Sequence, residues 1–179
     1  MSTAEPVKVP IAADPDNEWK PCCPRFDPSS VDETKEIELK QKPFVKESTY
    51  CFFGIPFNFG GAVTRCFDKL RAVDAIPAED TGLLVLADHS SPFLADIYVA
   101  SKSDKVPNAT MHHISGKFLT KVFEGPYKEC CTFDAQMKKL VKDKTGQEPL
   151  KMYTYYTSCP RCAKHYGANY MVLYAQVAE

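Results

Sequence analysis

The stretch Tyr153-Thr-Tyr-Tyr-Thr-Ser-Cys-Pro-Arg-Cys-Ala-Lys-His-Tyr-Gly167 runs an aromatic, strand-like segment into a Cys-x-x-Cys turn. A second strand, Asn169 to Val177, is predicted directly after it. Two thiols in a Cys-x-x-Cys spacing can bind one metal ion or form one disulfide. A second thiol pair, Cys22-Cys23, lies far upstream in a Pro-rich segment. We predict that the two pairs meet in the folded chain.

Zinc in structural sites is bound by four tetrahedral ligands, typically thiolates from two short turns. Cys159 and Cys162 supply two ligands, and Cys22 and Cys23 can supply the others. Because adjacent residues point apart in an extended chain, one cysteine of that pair together with His165 is an alternative ligand set. Thiol redox chemistry is a second interpretation, although it needs a thiolate at a helix N-terminus and this pair lies between two predicted strands. The third interpretation is that these cysteines are structural thiols that bind no metal.

Composition limits the classes of partner. The chain has 179 residues, 44% of them hydrophobic and 25% charged, which is typical of one soluble domain with an extension. The formal net charge of -1 argues against nucleic acid and against an anionic membrane as general partners. The N-terminus lacks the basic and apolar regions of a secretory signal. We therefore expect a cytoplasmic protein with reduced cysteines, and its oligomeric state is left open.

Residues 1–43 are predicted to form an N-terminal arm, because seven of the 14 prolines fall there. Residues 19–28 differ from the rest of the arm, since they contain Trp19, the Cys22-Cys23 pair and Phe26. Aromatic and cysteine side chains in such an arm usually pack against a folded surface, so we expect the arm to contact the domain through residues 19–28. A solvated tail with incidental aromatic residues is the alternative.

Residues 44–179 are predicted to form one domain built from two strand-helix-strand-strand repeats, 44–101 and 110–179. Helix-spaced apolar residues follow Asn58, a candidate N-cap, and recur between Phe133 and Val141. The fold class is therefore α+β: a curved antiparallel sheet with both helices on one face and a concave face opposite. Strands are predicted at 44–53, 82–87, 94–100, 112–123, 150–157 and 169–177.

The concave face is the predicted ligand site. Side chains alternate along a strand, so Tyr153 and Tyr155 share a face, and Tyr98 occupies the equivalent part of the first repeat. Such tyrosines suit a small organic or cationic ligand, although half-buried sheet tyrosines with solvated hydroxyls are the alternative. His112 is placed with this ligand-binding set, with a hydrogen-bonded core histidine as its alternative.

Two carboxylates are candidates for catalysis. Asp96 lies in an apolar strand, where an acid is costly unless it is paired or useful. It could act as a general base or as the partner of a cation, or it could face solvent at a sheet edge. Glu124 is the second candidate, and its alternative role is to favour the N-terminus of the second helix.

Three segments carry a resemblance to a known family: the repeated unit, Phe123-Glu-Gly-Pro-Tyr127 and Val172-Leu-Tyr-Ala-Gln-Val177. They resemble the GyrI-like small-molecule-binding family. Residues 22–177 are similar to a subgroup with Cys-Cys-Pro-x-Phe and Cys-Pro-x-Cys segments, often labelled only hydrolase. The resemblance implies a ligand cleft between two repeats, aromatic lining and a glutamate facing the ligand. Here Lys151–Tyr156 lacks that glutamate, whereas Asp96 stands in the matching strand of the first repeat.

Three functional hypotheses follow. The first is a GyrI-like small-molecule-binding protein with a structural zinc knuckle, which could also hydrolyse a reactive small molecule. The second is a thiol redox protein that works through Cys159 and Cys162. The third is a structural or interaction module that makes contacts through the Pro-rich arm.

Overall fold

The computed structural model describes residues 21–52, 55–78, 83–91 and 93–178, with the backbone alone at 52, 55 and 56. Trp19 and the rest of 1–20 lie outside the described residues. No helix in the described ranges is both long enough and apolar enough to cross a membrane. The helices are α1 Phe59–Arg71, α2 Cys130–Thr145 and α3 Pro160–Tyr166. The strands are β1 Glu36–Phe52, β2 Ile55–Pro56, β3 Val85–Asp88, β4 Leu94–Ala100, β5 Thr110–Glu124, β6 Lys151–Tyr156 and β7 Tyr170–Val177.

Six antiparallel strands close into a barrel. Their order is β1-β4-β3-β6-β7-β5, and β5 pairs back with β1. Strand β2 extends one end of β1 as a short hairpin. The α+β class is confirmed, but the predicted curved sheet did not include this closure. The concave face is therefore the inside of a barrel.

Alternation along the strands separates an inner core from two outer cores. The inner core is aromatic and contains Phe44, Tyr98, Phe118, Tyr153 and Tyr174. Outside the barrel, α1 packs Ala62, Cys66 and Leu70 against β1 and β4, and α2 packs Phe133, Met137 and Val141 against β5 and β7. Both helices thus lie on the outer face.

Strand β1 makes closure possible because it is long enough to pair with both β4 and β5. It begins at Glu36, so residues 36–43 of the predicted arm form part of the barrel. Pro43 is tolerated because it follows a bulge between Leu39 and Lys42, where the register with β5 shifts. Gln41 has a φ of 47° in that bulge, and its amide donates to Ser115 Oγ instead of continuing the ladder.

Local signals set the helix ends. Asn58 is the N-cap residue of α1 in a left-handed conformation, but its side chain makes no capping hydrogen bond. Gly146 ends α2 with a φ of 75°, which glycine adopts without a steric penalty. Cys159 and Cys162 lie between two strands, β6 and β7, as predicted, but they lie at the start of the short helix α3 and not on a turn. Pro160 at its first position and Gly167 at its C-cap are the signals for this helix.

The segment 21–35 closes one end of the barrel. Phe26 packs against Tyr155 and Tyr170, with ring centroids 6.4 and 5.8 Å apart, and Val31 also contacts the inner core. Glu33 accepts hydrogen bonds from the Val122 amide at 2.8 Å and from Lys121 Nζ at 3.2 Å. The described part of 19–28 therefore packs on the barrel.

Candidate metal centre and barrel mouth

Among the described residues, one group of His, Cys, Asp or Glu side chains is close enough together to hold a metal ion: Cys22, Cys23, Cys159 and Cys162. Their sulfur atoms all lie within 4.8 Å of one another. Cys22 Sγ lies 3.8 Å from Cys23, 3.5 Å from Cys159 and 3.6 Å from Cys162. A tetrahedral site with Zn–S bonds of about 2.3 Å has sulfurs about 3.8 Å apart. The donor set and its spacing therefore fit a tetrahedral, thiolate-binding metal such as zinc.

The two halves of this group come from opposite ends of the chain. The chain bends at Cys22 and Cys23, so both sulfurs face the same point, and the expectation that adjacent cysteines point apart does not hold here. Cys159 is the N-cap residue of α3, and its sulfur accepts a hydrogen bond from the Cys162 amide at 3.5 Å. The Cys159 amide in turn donates to Cys23 Sγ at 3.3 Å. Helix α3 thus orients three of the four sulfurs.

The electrostatics of the four thiols depend on one another. Burial raises the pKa of Cys22 and Cys23, and negative charge on Cys159 raises both further. Burial also opposes ionisation of Cys159, but the Cys162 amide and the neighbouring thiols outweigh it and lower the pKa of Cys159 to about 7. Four thiolates at these distances repel one another, and a bound cation would relieve that repulsion.

Two tyrosines brace the loops around this group. Tyr166 at the end of α3 donates to the Cys23 carbonyl at 2.5 Å, and Tyr127 donates to the Ser158 carbonyl at 2.8 Å. His165 is not in the group of four, and its ring packs 5.4 Å from that of Tyr166. All eight cysteines lie in the described part of the chain and are free thiols. The four-cysteine set is thus the better supported of the two predicted ligand sets.

At the other end of the barrel, polar side chains converge from β1, β3, β4, β5 and β6. The strand register places this end opposite the one that segment 21–35 closes. The side chains remain partly exposed at the rim and become buried further in. We call this set the mouth: Lys46, Ser48, Asp88, Asp96, Tyr98, His112, Lys151 and Tyr153.

Asp96 is the best-connected residue of the mouth. Its carboxylate lies 2.6 Å from Lys46 Nζ, and Ser48 Oγ donates to it at 2.5 Å. Burial raises the pKa of Asp96, but Lys46 and Ser48 outweigh this effect and hold it below the usual range. Asp96 is therefore an ionised partner of a cation near neutral pH.

A second ion pair lies beside the first. Lys151 Nζ is 2.9 Å from the carboxylate of Asp88, whose side chain is only 5% exposed. Burial opposes the charge on both groups, yet their pairing lowers the pKa of Asp88 and raises that of Lys151. The mouth therefore holds two cations and two anions, all paired.

His112 faces these charges from β5. Its ring lies 5.1 Å from that of Tyr98. Burial and the positive charges of Lys46, Lys151 and His113 lower the pKa of His112, against a smaller opposing effect of Asp96. The imidazole is therefore neutral near pH 7 and can accept a proton.

Tyr98 and Tyr153 form the floor of the mouth. They are 2% and 4% exposed, and their rings meet edge to face at 5.7 Å. Lys46 and Lys151 each lie over one of these rings, at 5.7 and 5.4 Å from the centroids. Burial raises the pKa of both tyrosines, so both hydroxyls stay protonated. Ligand binding by these two residues stays a prediction.

The structure does not bring every predicted site residue to the mouth. Tyr155 lies at the closed end against Phe26. Glu124 pairs with Tyr170 at the same closed end, is exposed, and is not the N-cap residue of α2, which is Glu129. Asp96, Tyr98, Tyr153 and His112 do come together.

Sequence reasoning missed Lys46, Ser48, Asp88 and Lys151. Alternation along the strands could have assigned each of them to the inner face. It could not have shown which of them pair, because that depends on the register between strands.

A buried polar pair also lies outside the barrel, between the helices. Tyr156 OH is 2.8 Å from His89 Nε2, and Phe59 and Tyr127 pack on the Tyr156 ring. His89 Nδ1 is buried with no hydrogen-bond partner among the described residues. Burial lowers the pKa of His89, against a smaller effect of Asp88, so the folded protein keeps this ring neutral.

We expect this pair to make stability depend on pH. As pH falls from 7.5 to 5.5, His89 becomes protonated near pH 6.5 in the unfolded chain but stays neutral to lower pH in the folded chain. Because the unfolded state then binds more protons, the free energy of unfolding decreases. His89→Gln should reduce this decrease and lower stability at pH 7.5 by about 1 kcal/mol through the lost hydrogen bond. Urea unfolding at both pH values measures this, and an equal decrease in both proteins would contradict it.

Comparison with known proteins gives one family. The profile of a family described as bacterial hydrolase matches residues 13–177, which covers segment 21–35 and the whole barrel. No curated protein matches the chain.

Proposed function

Since the chain belongs to the bacterial hydrolase family, we propose that it hydrolyses a small uncharged carbonyl compound at the mouth, and that its four clustered cysteines bind a structural zinc ion. The observation that carries the reaction is the convergence of a neutral histidine, an aspartate–lysine pair and two protonated tyrosines at one end of the barrel. The resemblance to GyrI-like proteins supports a small-molecule ligand. The zinc would cross-link segment 21–35 to α3 and supply no chemistry at the mouth.

An uncharged substrate suits the mouth because its charges are already paired. A net charge on the ligand would compete with Asp96 for Lys46 or with Lys151 for Asp88. An ester, lactone or amide carbonyl can instead accept hydrogen bonds without breaking either pair. The substrate class is therefore a neutral acyl compound.

The residues of the mouth can divide the reaction between them. His112 takes a proton from water as the water oxygen bonds to the carbonyl carbon. Lys46 stabilises the negative charge that develops on the carbonyl oxygen, and Asp96 with Ser48 holds Lys46 in place. The imidazolium then returns the proton to the leaving alcohol or amine as its bond to carbon breaks. The products are the carboxylic acid and the alcohol or amine.

We expect Asp96→Asn to lower kcat/KM for a chromogenic ester about 10-fold with little change in thermal stability. The variant keeps the Lys46 ammonium group that stabilises the developing negative charge, but it removes the carboxylate that holds this group in position. Asp68→Asn, an exposed carboxylate on α1, is the matched control. The measurement is p-nitrophenyl acetate hydrolysis by the metal-loaded protein, supported by a panel of lactones and anilides. No turnover of any compound would overturn the reaction, and equal loss in both variants would overturn the role of Asp96.

A thiol redox function is the second candidate. The observation in its favour is that Cys159 is the N-cap residue of α3 and shares a Cys-x-x-Cys spacing with Cys162. It predicts a metal-free protein with a reversible Cys159–Cys162 disulfide. Metal analysis and a thiol titration separate it from the zinc centre.

A further inference from the structure

An exposed apolar row borders the mouth. Leu94, Tyr50 and Phe57 are 43%, 77% and 60% exposed. Tyr50 is the register partner of Leu94, and the Phe57 amide donates to the Tyr50 carbonyl at 2.7 Å, so the three residues lie side by side across β4, β1 and the end of the β2 hairpin. We call these three residues the shelf. A row of large exposed apolar side chains is uncommon on a soluble protein and usually marks a binding surface.

The shelf continues the inner wall of the barrel. Ser48 and Asp96 are register partners in the mouth, and Tyr50 and Leu94 follow them two positions further along the same two strands. Residues two apart on a strand point to the same side. A ligand whose polar group reaches Asp96 and Lys46 would therefore extend its remaining part across Tyr50 and Leu94.

We infer, on the basis of the proposed function, that the substrate is a neutral acyl compound with an apolar chain, whose carbonyl group lies in the mouth and whose chain lies on the shelf. The paired charges of the mouth favour an uncharged head, and the shelf offers no charged side chain to a polar tail. The continuity of the two surfaces on β1 and β4 makes them one site.

Binding of a chain-length series tests the shelf without requiring catalysis. The probes are N-butyl-, N-hexyl- and N-octylacetamide, titrated into the metal-loaded protein by calorimetry. A fully buried methylene group strengthens binding about 4-fold, and contact on one side gives about 2-fold, or about 16-fold from butyl to octyl. Tyr50→Ser and Phe57→Ser should reduce this ratio to about 4-fold or less. Leu150→Ser, which is 65% exposed and lies outside the shelf, should leave it unchanged.

Each contrary result contradicts either the shelf or the proposed hydrolysis, so the two failures can be told apart. An equal chain-length ratio in wild type and in both shelf variants overturns the shelf. Concentration-dependent dimerisation in sedimentation that Tyr50→Ser abolishes also overturns it, because a second copy would then cover the row. If esters are hydrolysed at rates independent of chain length, the result supports hydrolysis at the mouth and contradicts binding of the apolar chain on the shelf. If the amides bind with the expected ratio but no ester is hydrolysed, the result supports binding of the apolar chain on the shelf and contradicts the proposed hydrolysis.

Discussion

Replacing Cys159 with Ser is expected to release a bound metal ion and to detach segment 21–35 from the barrel. The wild-type protein should contain about one zinc per chain, and the variant almost none. Cys159 is central to the group: its sulfur lies 3.5 Å from that of Cys22 and accepts from the Cys162 amide, and its own amide donates to Cys23. Its loss therefore disturbs all three remaining ligands.

The loss of stability should be large but should not unfold the barrel. Structural zinc binds zinc-finger peptides with about 10–16 kcal/mol, because those peptides have no other core. Here the inner and outer cores do not depend on the metal, and segment 21–35 contributes only Phe26 and Val31 to the inner core. We expect a loss of about 3 kcal/mol, which lowers the Tm by about 6–12 °C in a chain of this size.

Elemental mass spectrometry and limited trypsin digestion measure the two parts of this prediction. Arg25 and Lys35, both exposed, are the cleavage sites that detachment of the segment would make easier to cut. Cys131→Ser is the matched control, because Cys131 is an exposed thiol outside the group. Equal zinc in both variants would contradict the site. A metal-free wild type with a reversible Cys159–Cys162 disulfide would favour the redox function.

The sequence was most informative where one local pattern decides one local structure. A short run of mostly apolar residues placed Leu94–Ala100 as a strand with the bounds that the structure has. Helical spacing and Gly146 located α2 and its end. The meeting of the Cys22-Cys23 and Cys159–Cys162 pairs across more than a hundred residues was also predicted, because paired thiols in a reducing compartment favour a shared metal site.

Barrel closure and the mouth could not be predicted in the same way, because they depend on pairing between distant strands. Closure requires β1 to pair with both β4 and β5, and the prolines before Phe44 concealed its start at Glu36. The ion pair between Lys151 and Asp88 joins two strands that are separated in the sequence by one helix and two other strands. In the sequence, Lys151 and Asp88 each have the pattern of a charged side chain exposed to solvent.

Replacing His112 with Gln is expected to lower kcat/KM for the hydrolysed ester about 100-fold or more, because general-base catalysis contributes about 10²–10⁴-fold. Gln keeps a hydrogen-bonding group beside Tyr98 but cannot accept the proton. Because His112 is only partly buried, the variant should fold with near-normal stability. An equal rate in both proteins would exclude His112 as the base.

The pH dependence gives a sharper test of the same residue. Burial, Lys46, Lys151 and His113 hold the pKa of His112 below its usual value of about 6.5, with Asp96 acting in the opposite direction. Activity should therefore fall only below about pH 6.5, as the imidazole becomes protonated. Lys151→Met removes a nearby positive charge, which makes the imidazolium less costly, so the fall should move to higher pH. Lys102→Met, an exposed lysine paired with Asp74, is the control and should leave it in place. Because NMR titration of the His112 ring reports the same shift without substrate, an unmoved ring pKa in Lys151→Met would contradict the electrostatics of the mouth even if no ester were hydrolysed.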